Sequence, residues 1–488
     1  MNWSKLTWVL VAGAAVVAFL AGPIAGLIAV TAAVSAWAIL RAAKLGSVAL
    51  PILLSVATAY GLFPQLALLF YEDLLWASSP FLPLDSIPQL EMALFINTSL
   101  IAISLIGVQM ARNAGRGNDG MGRRSEFRLG RAQTLRAFAL GAGFLVAAVI
   151  AVALALEFDT MSYLDTVNWG QGAVVSQALD LAPILAVAAW AAGKVRASGR
   201  WTIRHALAVF LALLVGAFSL RSGDRTPLAG LVFGFAAMTV WPVLEAGRAK
   251  YAWFKLLRIA VAALVVVLGS AALTNVRSTR GSESGSVSVG VFDPIAAFSE
   301  FSAGDLVMQD WASPGLLIGL SMGDEYVDPG LVLKASFQTL PIISSLLDEQ
   351  SIGEVLSRRY DPVTSQGYGD FVLRDGYTLA GWPGIAISVA LFLGIAFLLD
   401  RYFRRSYLPP VVSAGLIASV ALLIIRSQAS ASIRIFVLDI LVATWFYRFA
   451  TLEQGQSRQK NPHLPFAKPV AVVAVLPRRP IRRFPLGS

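Results

Sequence analysis

Stretches of about 20 apolar residues recur along almost the whole chain, and this recurrence constrains the fold more than any other feature. At 1.5 Å per residue each stretch makes a helix of about 30 Å, the thickness of a bilayer's hydrocarbon core. Inside that core a chain must satisfy its own backbone hydrogen bonds, which a helix does within one segment. The expected class is an all-α polytopic membrane protein. Composition agrees: of 488 residues 57% are hydrophobic and 14% charged, where soluble domains carry about a quarter charged residues.

Residues 6–40 are nearly unbroken apolar sequence, about 52 Å if helical, and the Ala21-Gly22-Pro23 break divides them. Spans are therefore expected near 6–21 and 23–41, the first a retained helix and not a cleaved signal. Further spans follow near 47–71, 89–110, 137–157, 174–193, 205–220, 226–244, 257–275, 378–399, 408–425 and 433–450, about twelve in all. With both termini in the cytoplasm, 29 of the 39 Lys and Arg residues fall on the inner side, as the positive-inside rule requires. The division is then residues 1–275 (helices 1–9), a large outer loop at 276–377, residues 378–451 (helices 10–12) and a basic tail at 452–488. The loop holds fourteen acidic and six basic residues, opens with linker composition at 278–286, and is apolar enough around 331–347 to lie against a membrane. The Pro- and Arg-rich tail reads as a solvated end that favours anionic lipid.

Several chemistries drop out. With no cysteine there is no disulfide, thiolate metal site or cysteine nucleophile. Two histidines, His205 and His463, both on the inner side, do not make a histidine-rich metal centre. No Walker-type phosphate loop is present. No metal, cofactor or nucleic-acid partner is expected; the charge of +10 follows the topology instead.

The basic residues that break the inside rule are the informative ones. Two outer loops, 72–88 and 158–173, have none. The rest concentrate in Arg221 and Arg225 (Leu220 to Pro227), in Arg426 and Arg434, and in Arg277, Arg280, Lys334, Arg358, Arg359 and Arg374 of the long loop. Nearly all are arginine, whose planar fork suits bidentate phosphate binding. They suggest a diphosphate site at the outer membrane boundary, against the plainer reading of helix-end arginines reaching for headgroups. A second constellation closes the long loop: Gly367-Tyr368-Gly369-Asp370, then Arg374-Asp375-Gly376-Tyr377 and Gly381-Trp382-Pro383-Gly384. Its glycines permit tight turns beside a ligand, Asp370 or Asp375 has the chemistry of a proton acceptor, and its aromatics suit sugar rings. Ordinary helix-capping aspartates are the alternative.

Twelve spans with a large late outer loop resemble the O-antigen polymerase family. Locally, Gly369 matches that family's glycine, Arg374-Asp375-Gly376-Tyr377 its Ala-Glu-x-Tyr segment, and Gly381 with Gly384 its paired-glycine turn. Aspartate replaces the glutamate, and arginine the small residue. The stretch from Asp328 to Pro341 and the loop Arg221–Pro227 are similar to further family segments. The motif match covers some 60 residues, the topology the whole chain. The resemblance implies a GT-C-like membrane glycosyltransferase in the bacterial inner membrane. Its substrate would be an undecaprenyl-diphosphate-linked oligosaccharide, and a chain-length regulator would be a further partner. The transfer would be metal-independent, on the outer face, with Arg221, Arg225, Arg426 and Arg434 on the diphosphate. Arg358, Arg359, Arg374 and Tyr377 would contact phosphate or glycan, with Asp375 or Asp370 as base.

Three rivals stand beside this reading. A glycan ligase would share donor and fold, but the related ligases resemble one another in an outer-loop histidine that this loop lacks. A shape-determining transglycosylase usually has ten spans. A flippase or transporter would place ionisable groups within the membrane, where this chain has Asp180 and Asp439.

Overall fold

The structure, a computed structural model, describes residues 21–70, 87–116, 226–246, 313–323, 371–405, 408–426 and 435–441, with single helical positions at 13, 16, 184, 187, 188, 443 and 444. This described part is all-helical. Among the described residues four helices are long and apolar enough to cross a membrane: α1 (Pro23–Lys44), α2 (Ala49–Phe70), the Gln89–Ala114 portion of α3 (Gln89–Arg116) and α7 (Gly384–Arg405). The other helices are α4 (Thr226–Ala246), α5 (Ser313–Gly323), the two-turn α6 (Arg374–Ala380), α8 (Pro410–Ile425) and a π turn at Phe436–Ile440.

Local chemistry explains where these helices begin. Gly22, at φ +97°, turns the chain, and Pro23 fits the first helical position, where no amide donor is needed. α2 begins just after the tight turn 45–48, and its first amides are capped from a distant helix. The Asp400 carboxylate of α7 accepts from the Val48 and Ala49 N–H groups, 2.8 Å each, and from the Ser47 hydroxyl. The start of α2 is thereby bound to the last turns of α7, so the two helices run antiparallel.

The helices meet over small residues, the usual solution where lipid tails remove any hydrophobic preference for helix contact. A Cβ on Gly61 of α2 would press on Ile96 and Leu100 of α3 at 2.8 Å, and one on Gly107 of α3 would meet Leu50 at 2.7 Å. α4 and α8 cross where Gly234 faces Gly415 and Ser419, while Gly415 faces Met238. Later residues of α4 thus meet earlier residues of α8, an antiparallel pair. α8 is apolar on all sides and buried almost throughout, so it forms the centre of the bundle. On the outside, Leu105, Ile106, Phe397 and Leu398 stay exposed, a belt suited to lipid.

Two buried amide side chains tie α2 to α3 inside this core. Asn97 of α3 donates to the Gln65 side chain of α2 at 2.7 Å, and Gln65 donates to the Gly61 carbonyl at 2.8 Å. Beside them Pro64 cannot donate to the Tyr60 carbonyl, and α5 fills the place. Gly315 lies so close that a Cβ would overlap Pro64 and come within 2.9 Å of the Tyr60 oxygen.

One expectation needs correction. The tenth span does not start near 378: the chain first makes α6, turns at Gly381, and starts α7 at Gly384. α6 runs across position 377/378, and its Arg374, Asp375 and Gly376 are buried with the helices. Part of the long loop also packs into the bundle, since α5 is buried from Gly315 to Leu320. The apolar stretch 331–347 lies outside the described residues.

Candidate functional site

The turn between α6 and α7 is made by glycines with two different tasks. Gly381 adopts φ +62°, ψ −135°, a conformation open to glycine, with empty space around its Cα. Its N–H donates to the Tyr377 carbonyl at 2.6 Å, and the Gly384 N–H donates to the Gly381 carbonyl at 3.0 Å. The fold-back lays α6 on the first turns of α7, backbone against backbone. There Gly376 and Gly384 matter for their size: a Cβ on Gly376 would overlap Ser388 Oγ and the Gly384 carbonyl oxygen. Ser388 completes the contact by donating to the Leu373 carbonyl at 2.7 Å.

This packing carries Arg374 and Asp375 inward. Both are buried, at 1% and 4% exposure. Charges are held in a core only where the fold answers them, and each of the two has an interaction partner in the fold. Tyr377, one turn on, is half-buried, with its ring edge-on to Phe95 at 5.2 Å; Phe95 also meets Trp382 at 6.2 Å. Trp382 keeps 43% of its surface exposed, so an aromatic face opens beside the buried charges. Burial, and after it the negative charge of Glu91, holds the Tyr377 phenol above the usual tyrosine range. Glu91 is exposed in the first turn of α3. Sequence reading passed over it, although an acid just after Pro88 at a helix start is a visible signal.

The structure brings one expected diphosphate residue to this segment. The Val372 N–H donates to the Ile425 carbonyl at 3.1 Å. Ile425 is the last residue of α8 and Arg426 caps it, so Arg426 follows directly on the residue bonded two positions before Arg374. Arg426 is half-buried and has a partner in the fold. Because α4 is antiparallel to α8, its first residue, Thr226, belongs to this same end of the bundle. Arg221, Arg225, Arg434, Arg358, Arg359 and Asp370 lie outside the described residues, as do Asp180, His205 and His463. Among the described residues no cluster of three or more His, Cys, Asp or Glu could hold a metal ion.

Two other features stand apart. Asp439 is buried in the π turn. A cavity of about 500 Å³ lies at the far end of α7, where Asp400, Arg401, Arg404 and Arg405 meet the start of α2 and the second half of α3. Its basic end is about 30 Å from the α6–α7 turn along the helix, and no residue of the expected site lines it.

No protein-family model, curated protein or solved structure matches this chain.

Proposed function

We propose that this chain polymerises undecaprenyl-diphosphate-linked oligosaccharide repeats, as a twelve-span, GT-C-like enzyme working at the outer face of the bacterial inner membrane. The observation that carries this reading is the Val372–Ile425 hydrogen bond, which joins the Arg426 cap to the Arg374-Asp375 helix. A half-buried arginine, on a segment hydrogen-bonded to one that buries an arginine and an aspartate, is apt for one charge change: the departure of a diphosphate while an alcohol loses its proton.

In the reaction, a hydroxyl of the acceptor sugar attacks the anomeric carbon of the donor glycan. The new C–O bond forms as the bond to the diphosphate breaks, and the diphosphate leaves with that electron pair. Arg426, with Arg221, Arg225 and Arg434, binds the leaving group. Asp375 or Asp370 takes the hydroxyl proton, and Arg374, Arg358, Arg359 and Tyr377 hold phosphate or glycan. The Tyr377–Trp382 face supports this role, because a flat aromatic surface suits sugar C–H faces.

The test is purified protein with lipid-linked repeats and no other acceptor. A ladder of polymer supports the proposal, and a blank from folded protein overturns it. Alanine at Arg221 or Arg225 should abolish the ladder without removing protein from the membrane, with lysine rescuing only partly. One observation favours a second reading, a lipid-glycan flippase: buried Asp439 lies in a π turn, a distortion frequent at functional sites, and intramembrane acids often mark transport paths. Translocation of labelled lipid-linked repeat without any ladder would select that reading.

A further inference from the structure

The cavity at the far end of α7 has a composition that the proposed transfer does not use. Its walls are apolar, with Gly107 and Met110 of α3 facing Leu393, Ala396 and Phe397 of α7. Its end is basic, with Arg401, Arg404 and Arg405 in the last turns of α7. The acid among them is already committed, because Asp400 spends its carboxylate on the start of α2. Arg404 donates to the Gly46 carbonyl at 3.4 Å, whereas Arg401 and Arg405 are exposed and make no hydrogen bond or ion pair among the described residues. Three cations against one occupied carboxylate leave the rim positive, and this excess outweighs the partial negative charge of a helix C-terminus.

Dimensions identify the occupant. From Leu393 to Arg405 the helix rises about 18 Å, close to half the thickness of a hydrocarbon core. The apolar wall thus begins near mid-membrane and the arginines stand at headgroup depth. Phe397 lines the cavity and is 41% exposed, next to Leu398 at 59%, so the groove opens sideways onto the lipid-facing belt. We infer that this groove binds one anionic phospholipid from the leaflet opposite the α6–α7 turn, its phosphate on Arg401 and Arg405 and an acyl chain along Gly107, Leu393 and Phe397. The apolar wall selects a lipid over a free phosphate, which would leave that surface uncovered.

The test is native mass spectrometry of the full chain released from bilayers of equal phosphatidylglycerol and phosphatidylcholine. The wild type should keep one phosphatidylglycerol in preference to phosphatidylcholine. R401Q/R405Q should weaken that retention about 30-fold, at roughly one decade or less per surface arginine. A114W, which fills the groove from a half-buried position on α3 without touching any charge, should displace the lipid too. Equal retention of the two lipids by the wild type, retention unchanged in both variants, or displacement by millimolar inorganic phosphate alone would overturn the assignment.

Discussion

The two ends of α7 show how differently one helix can be anchored. At its start the contact is backbone on backbone: Gly376 lies on Gly384, Ser388 bonds the Leu373 carbonyl, and the charges of Arg374 and Asp375 are buried behind them. At its finish side chains make the contact: the Asp400 carboxylate caps α2 and Arg404 reaches the Gly46 carbonyl, with Arg401 and Arg405 left at an open groove. A backbone seam tolerates no added atom, so it fixes the position of a buried charge pair closely. A side-chain cap leaves room around it, which suits a site that exchanges lipid. We propose reaction geometry at the first end and lipid occupancy at the second.

The contrast can be broken most sharply at the seam. Gly376→Leu should destabilise the fold by about 3 kcal/mol, the upper range for overpacking, because its neighbours include backbone that cannot withdraw. Thermal unfolding in detergent measures this, and a variant as stable as wild type would mean that α6 does not lie on α7. Next comes Asp400→Ala, which removes the cap of α2 and should cost about 1–2 kcal/mol. It should leave polymer formation per folded molecule unchanged; loss of turnover in a well-folded variant would join the two ends functionally. Ser388→Ala should cost about 1 kcal/mol, the size of one buried hydrogen bond, read from the same unfolding curves. The smallest effect belongs to Glu91→Gln. Burial is the larger cause of the raised Tyr377 pKa and remains, so removing the carboxylate should lower that pKa only slightly. Ultraviolet titration of the variant against a Tyr377→Phe reference would detect it, and a rise would reverse the sign of the argument.

Much of the bundle was legible because a span is mainly a matter of length and apolarity. The break before Pro23 and helices near 47–71, 89–110, 226–244 and 408–425 each have a counterpart within a few residues, apart from the longer end of α3. What escaped was structure that depends on partners distant in sequence. α6 carries Arg374 and Asp375 in seven residues, so it reads as loop until the glycine seam buries it. α5 is too short for a span, and its inward packing rests on Gly315 fitting against Pro64 of a helix some 250 residues earlier. Asp400 looks like a charge at a helix end; its task appears only when residues 47–49 arrive from some 350 positions away. Of the candidate site, the glycine pattern and Arg426 were readable as residues, while the hydrogen bond that joins them was not.

The central claim is that Arg426 and the Arg374-Asp375 helix act on one leaving group. It is tested most directly by polymer ladders from Arg426→Ala and R401Q/R405Q, compared at equal amounts of folded protein with lipid-linked repeats. The account predicts no ladder from Arg426→Ala, a weak one from Arg426→Lys, and a ladder from R401Q/R405Q at the far end. A full ladder from Arg426→Ala would contradict it.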